Sequence, residues 1–136
     1  MNKSLSLQIQ YQSSKICIAD LVQEGSTVAI AAEADPVYDF YLMRVTRKET
    51  LSEAVTDDYG SEHPPNTKIL RGHFFLRENM LDMTYKLNEQ KVCIVAVNAV
   101  RYICGELNQI KRGRGKRAKI IYKLSLEQQE DIMGNL

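Results

Sequence analysis

Short alternations of apolar and polar residues recur at intervals of roughly ten residues along this chain, and only its last dozen residues carry a clear helix signal. A parallel α/β sheet needs a helix between successive strands, so that class is excluded and an antiparallel, mainly β fold is expected. The first strand is read at 27–32, where Val28 and Ile30 share a face, and the second at 38–46. In the second, Tyr41, Met43 and Val45 face one way and Phe40 and Leu42 the other, so both faces require cover or one is a binding surface. Residues 67–77 set Leu70, Gly72, Phe74 and Leu76 on an inner face against Ile69, Arg71, His73, Phe75 and Arg77 on a mostly basic outer one. A short strand follows at 83–87. A β-rich run at 92–104 is divided by Asn98 and ended by Gly105, and a last strand is expected at 120–124.

Ser125 and Gln128 have the spacing of a capping box, with Glu127 and Glu130 suited to a helix N-terminus. Leu126, Ile132, Met133 and Leu136 make a partial apolar stripe, which places this helix outside the strands or across one end. Residues 49–66 hold five acids (Glu49, Glu53, Asp57, Asp58 and Glu62), no Lys or Arg, and the pair Pro64 and Pro65. This reads as a long acidic loop with at most one helical turn near 51–55. Near the start, Leu5, Leu7, Ile9 and Tyr11 alternate with polar residues as an amphipathic strand would. With 136 residues the chain suits one domain. The expected architecture is a small antiparallel β-barrel with a long acidic insertion and a C-terminal helix: residues 1–14 form a strand or linker, 15–136 the barrel, and 125–136 its closing helix.

The formal charge of +1 conceals a separation. Lys111, Arg112, Arg114, Lys116, Arg117 and Lys119 hold six of the 18 basic residues, leaving twelve against 17 acids, a balance of −5. An acidic body with one basic segment directs anionic partners to one place. The segment KRGRGKRAK at 111–119 spaces its cations with glycines, which oppose a helix and leave an arm able to follow a phosphate backbone without reading bases. A nuclear-localisation cluster and a solvated hairpin loop remain open beside this nucleic-acid reading.

Catalysis finds thin support. His73 and Cys93 would need to meet as a thiolate pair, whereas a surface imidazole and a buried thiol are the far better account of them. Asp57 and Asp58 are adjacent and point apart in extended chain, whereas paired carboxylate chemistry needs convergence. No phosphate loop, GxGxxG or HExxH occurs, and Cys17, Cys93 and Cys104 lack the spacing of a zinc site. A non-catalytic protein with neither cofactor nor metal is therefore expected, in a reducing compartment, nuclear or alternatively cytoplasmic. Composition also argues against a membrane span.

The aromatic residues point elsewhere. Tyr38, Phe40, Tyr41, Tyr59 and Phe75 fall near strand ends or on faces expected to be outward, and three such rings can cage a methylated ammonium, with Asp39 or Asp58 completing the cage. Core packing is the competing reading, because aromatic rings bury large areas.

Gly25 to Ile30 (GSTVAI) followed by Phe40 to Val45 (FYLMRV) resembles the opening strands of chromatin barrels of the Tudor and bromo-adjacent homology type. Leu70 to Phe75 (LRGHFF) stands where the second of these families has a strand ending in an aromatic pair, and Val100 to Gly105 (VRYICG) falls near its later cysteine-bearing strand. The resemblance spans about residues 22–124. Thr84 to Leu87 (TYKL) replaces the usual Asn-Glu pair, and the chain has no Trp. Tyr122 to Ser125 (YKLS) before a helix is also similar to barrel modules of transposon-related proteins. The resemblance implies a non-catalytic nuclear module that binds a nuclear protein or histone tail, DNA or RNA, or both. A second expectation, from another class, is an assembly protein that homo-oligomerises through residues 5–11, since a free amphipathic strand is an edge ready to pair.

Overall fold

The computed structural model describes residues 18–32, 35–79, 81, 83–115 and 119–136. The strand read at residues 5–11, with the oligomerisation assigned to it, lies outside these residues, as do Lys116 and Arg117. A short helix, α1 (Ile18–Leu21), leads into β1 (Thr27–Ala31) and β2 (Phe40–Thr50). The two-residue strands β3 (Val55–Thr56) and β4 (Glu62–His63) follow, then β5 (Lys68–Asn79), β6 (Thr84–Leu87) and β7 (Cys93–Ala96). A 3₁₀ turn (Val97–Ala99) joins β7 to β8 (Val100–Cys104), and β9 (Asn108–Arg112), β10 (Lys119–Lys123) and helix α2 (Leu126–Met133) complete the chain. No helix among the described residues is long and apolar enough to cross a membrane.

Eight strands form one antiparallel sheet in the order β8-β1-β2-β5-β6-β10-β9, with β7 also pairing on β5. The long strand β5 is shared: Lys68 to Phe74 pair with β2, Ile69 to Gly72 pair with β7, and Phe75 to Asn79 pair with β6. Along the path β8-β1-β2-β5-β7 the two outer strands would stand about 19 Å apart if the sheet were flat. Ala96 and Val100 are only four Cα–Cα steps apart, a reach of about 14 Å at most, so the sheet must curl. No ladder joins β7 to β8 among the described residues. The expected closed barrel is therefore corrected to a curled antiparallel sheet with open edges, because the 3₁₀ turn redirects the chain towards β1 instead of back along β7.

Both faces of β1 and β2 are covered, as their two-sided apolar pattern requires. Val28, Ile30, Met43 and Val45 pack with Leu70, Cys93, Val97 and Val100 inside the curl. Ala29, Phe40 and Leu42 pack on the opposite face with Phe75, Tyr85, Tyr122, Leu124 and Ile132. The inner face expected for β5 holds for Leu70, which is fully buried, but Leu76 is 51% exposed. Phe75, expected outward, is buried in the second core because Phe40, Leu42, Tyr85 and Tyr122 cover the face it lies on.

The capping box forms as expected: the Ser125 hydroxyl accepts from the Gln128 amide at 3.0 Å, and the Gln128 side chain accepts from the Ser125 amide at 2.9 Å. Of the partial stripe, Ile132 alone is buried, and it plugs the second core. The acidic segment contains more order than a plain loop, and residues 51–55 form no helical turn. Leu51 and Thr67 close its neck through the Leu51 amide donating to the Thr67 carbonyl at 2.9 Å. β3 and β4 pair above it as a small ribbon, Val55 opposite His63.

Candidate functional site

A cleft of about 900 Å³ opens between the end of β1, the 35–41 turn, the β3–β4 ribbon and β7. Tyr38, Phe40, Tyr41, Tyr59 and Phe75, the five rings singled out from the sequence, all line it. They do not play equal parts. Phe40 and Phe75 are 4% and 5% exposed and belong to the second core, so they form its floor, which corrects their placement on an outward face. Tyr38, Tyr41 and Tyr59 remain accessible, and Phe74 joins them in a row of edge-to-face contacts. Ring centroids are 6.3 Å apart for Tyr38 and Tyr41, 6.0 Å for Tyr41 and Phe74, and 6.5 Å for Phe74 and Tyr59. Such spacing presents several negative ring faces and partly positive edges along one wall.

The acid at this wall is Asp35, whereas Asp39 does not line the cleft and Asp58 is turned to Lys91 at 3.7 Å. Asp35 Oδ1 accepts from the Val37 amide at 2.8 Å and the Tyr38 amide at 3.1 Å, the Asx arrangement that an Asp-Pro turn favours. Oδ2 accepts from the Tyr41 hydroxyl at 2.5 Å. The Tyr41 bond first, then the two amides, hold the Asp35 carboxyl below its ordinary range. In turn the carboxylate pushes the Tyr41 phenol up to about 12.

A second acid, Asp57, stiffens the opposite rim. Its Oδ1 accepts from the amides of Tyr59 at 2.9 Å and Ser61 at 3.0 Å, and its Oδ2 bonds His63 Nε2 at 2.9 Å. Burial raises its carboxyl, but the His63 bond and the two amides outweigh it and the net shift is downward. The pair is nearly closed to solvent, with side chains 10% and 8% exposed. This clasp fixes Tyr59, whose ring is 65% exposed and carries the Lys91 ammonium 5.0 Å from its centroid.

Arg77 lines the cleft beyond Tyr38. Register places Arg77 opposite Tyr85, and Tyr85 opposite Tyr122, so these side chains share the face of the sheet that meets β1 and β2. The Arg77 guanidinium lies 4.8, 5.4 and 5.5 Å from the centroids of Tyr38, Tyr85 and Phe40.

The His73 and Cys93 pair considered for catalysis does not assemble as a thiolate centre. His73 Nδ1 bonds the Lys91 carbonyl at 2.8 Å, and burial pushes the Cys93 thiol up despite a hydrogen bond with Tyr59. Asp57 and Asp58 diverge, the first in its clasp and the second exposed. No group of three His, Cys, Asp or Glu able to hold a metal occurs among the described residues.

The basic segment is more built than an arm. Lys111 and Arg112 end β9, Lys119 opens β10, and Arg114 sits in the turn between them. Gly113 and Gly115 adopt φ of 93° and 62°, the left-handed region that only glycine enters without strain, so these glycines serve the turn. Arg112 lies directly opposite Lys119, a like-charge pairing, and none of these four cations forms an ion pair with an acid among the described residues.

Asp35 and Arg77 were absent from the residues expected to form the site. The Asp-Pro turn was legible, but the bond from Asp35 across six positions to Tyr41 depends on how β2 leaves that turn. Arg77 reads as one more cation on a basic strand face, and nothing local shows that Tyr38, Phe40 and Tyr85 will close around it. No family model, curated protein or solved structure matches the chain.

Proposed function

We propose that this chain is a non-catalytic interaction module that receives a cationic side chain of a protein partner in the cleft between Asp35 and Tyr59. The observation that carries the reading is the row Tyr38, Tyr41, Phe74 and Tyr59 with the Asp35 carboxylate beside it. Ring faces attract an ammonium by about 0.5–2 kcal/mol each, most where water is excluded, and a nearby carboxylate adds to the field. A methylated lysine suits such a wall because its charge is diffuse and its methyl groups fill space. The curled five-strand path and terminal helix are compatible with the resemblance to Tudor and bromo-adjacent homology barrels, and that reading carries with it a nuclear setting and a histone tail as one kind of partner.

A second contact rests on the β9–β10 hairpin. Exposed cations held opposite one another without acidic partners suit phosphates, which would relieve their mutual repulsion. The hairpin would bind DNA or RNA without base specificity.

Calorimetric titration with N-acetyl-trimethyllysine amide tests the cleft. Tyr41→Leu and Tyr59→Leu should each weaken binding at least about fivefold, and unchanged affinity in both would overturn the reading. Fluorescence anisotropy with labelled duplex DNA, single-stranded DNA and RNA across a salt series tests the hairpin. The expected log–log slope is that of several phosphates, and a flat response at low salt would remove the nucleic-acid contact.

A further inference from the structure

Two opposite charges flank Tyr38 in the cleft. Asp35 Oδ1 accepts from its amide at 3.1 Å, and Arg77 stands against its ring with its donors largely unused: Nη2 donates to the Tyr85 hydroxyl at 3.0 Å, while Nε is buried with no hydrogen-bond partner. No carboxylate lies within ion-pair distance of Arg77 among the described residues. The contrast with Arg71 on the same strand is instructive, because Arg71 pairs with Glu49. A guanidinium carries five donors and binds carboxylates through two of them at once, and an orphaned buried donor costs about 1–3 kcal/mol. Stacking on Tyr38, Phe40 and Tyr85 holds the plane of the group without satisfying its hydrogen bonds.

Tyr38 lies between the ring row and Arg77. Its ring lies 4.8 Å from the Arg77 guanidinium carbon and 6.3 Å from the Tyr41 ring, so the cation wall and the arginine are one ring apart. In an extended peptide, side chains at i and i+2 project to the same side about 7 Å apart. We propose that the partner segment is an extended peptide carrying an Asp or Glu two residues from its cation, with the cation on the Tyr38–Tyr59 wall and the carboxylate on Arg77. This rests on the cation reading given above and adds the second group that the cleft selects.

The test uses three capped heptapeptides titrated calorimetrically into the full chain. One contains trimethyllysine-Ala-Glu, the second trimethyllysine-Ala-Gln, and the third norleucine-Ala-Glu. The Glu peptide should bind at least about tenfold more tightly than the Gln peptide, as a charge-assisted bidentate contact requires. In Arg77→Gln that ratio should fall to about one. Arg77→Lys, which keeps the charge without the planar fork, should give an intermediate ratio. Equal binding of the Glu and Gln peptides to the unsubstituted chain overturns the role of Arg77 while leaving the cation reading intact. Equal binding of the norleucine and trimethyllysine peptides, or no binding by any of the three, overturns the cation reading and the present inference with it. Because the Glu and Gln comparison is made on the unsubstituted chain, it decides the matter even if the Arg77 variants fold poorly.

Discussion

The Tyr41 hydroxyl donates to Asp35 Oδ2 at 2.5 Å, joining the first residues of β2 to the turn that precedes it. The bond sets one wall of the cleft and ties the charge of Asp35 to the protonation of Tyr41. With Tyr41 pushed up to about 12 in the folded chain, its contribution to stability is complete below about pH 10, the ordinary phenol value, and is lost as pH climbs from there through 12. Burial also raises Tyr59, Tyr85 and Tyr102, so the check is a difference titration: Asp35→Asn should return one late-titrating phenol, that of Tyr41, towards 10.

Asp57 works in the opposite direction. Its folded carboxyl lies below the ordinary value near 4, so its clasp is fully stabilising above that pH and is lost as pH falls below it. The protection factors of the Tyr59 and Ser61 amides, which correct for the slower intrinsic exchange in acid, should fall on acidification before those of the main sheet, and Asp57→Ala should show low protection already at neutral pH.

Gly72 permits a close approach of β5 to β2. A Cβ there would lie 2.1 Å from the Arg44 carbonyl oxygen, beside the register shift between Val45 and Arg47. Because the obstacle is backbone, Gly72→Ala must separate β2 from β5. We expect a loss of at least about 2 kcal/mol, read as a fall in the denaturant midpoint.

The Ser125 cap fastens α2, which carries Ile132 into the second core. Ser125→Ala should cost about 1 kcal/mol and lower Tm by about 3–5 °C. Leu126→Ala, at a position 69% exposed, should change Tm little.

Strands and cap were legible because each follows from local pattern. The alternation around Met43, the break at Asn98 and the Ser125–Gln128 spacing all act over a few residues, and each appears in the fold near where it is expected. Long-range pairing was not legible. Phe75 and Arg77 keep the face that alternation gives them, but the rings of Tyr38, Phe40, Tyr85 and Tyr122 cover that face, and no period in residues 67–77 signals what will lie over it. The open edge between β7 and β8 was hidden for the same reason, since Asn98 marks a break without fixing the direction in which the chain resumes. In the basic segment, Gly113 and Gly115 suggested slack, whereas the turn requires their left-handed backbone. Five rings were named from the sequence and all reach the cleft, but the sequence could not separate the two on its floor from the three on its wall.

The central claim, that the cleft recognises positive charge and not merely apolar bulk, is tested most directly by nuclear magnetic resonance. The ring-proton signals of Tyr38, Tyr41, Tyr59 and Phe74 would be followed during titration with N-acetyl-trimethyllysine amide and with its uncharged tert-butyl isostere, which has the same shape. Saturable shifts at these rings are expected with the cation, and binding at least about fivefold weaker with the isostere. Equal binding of the two compounds, or shifts that avoid these four rings, would contradict it.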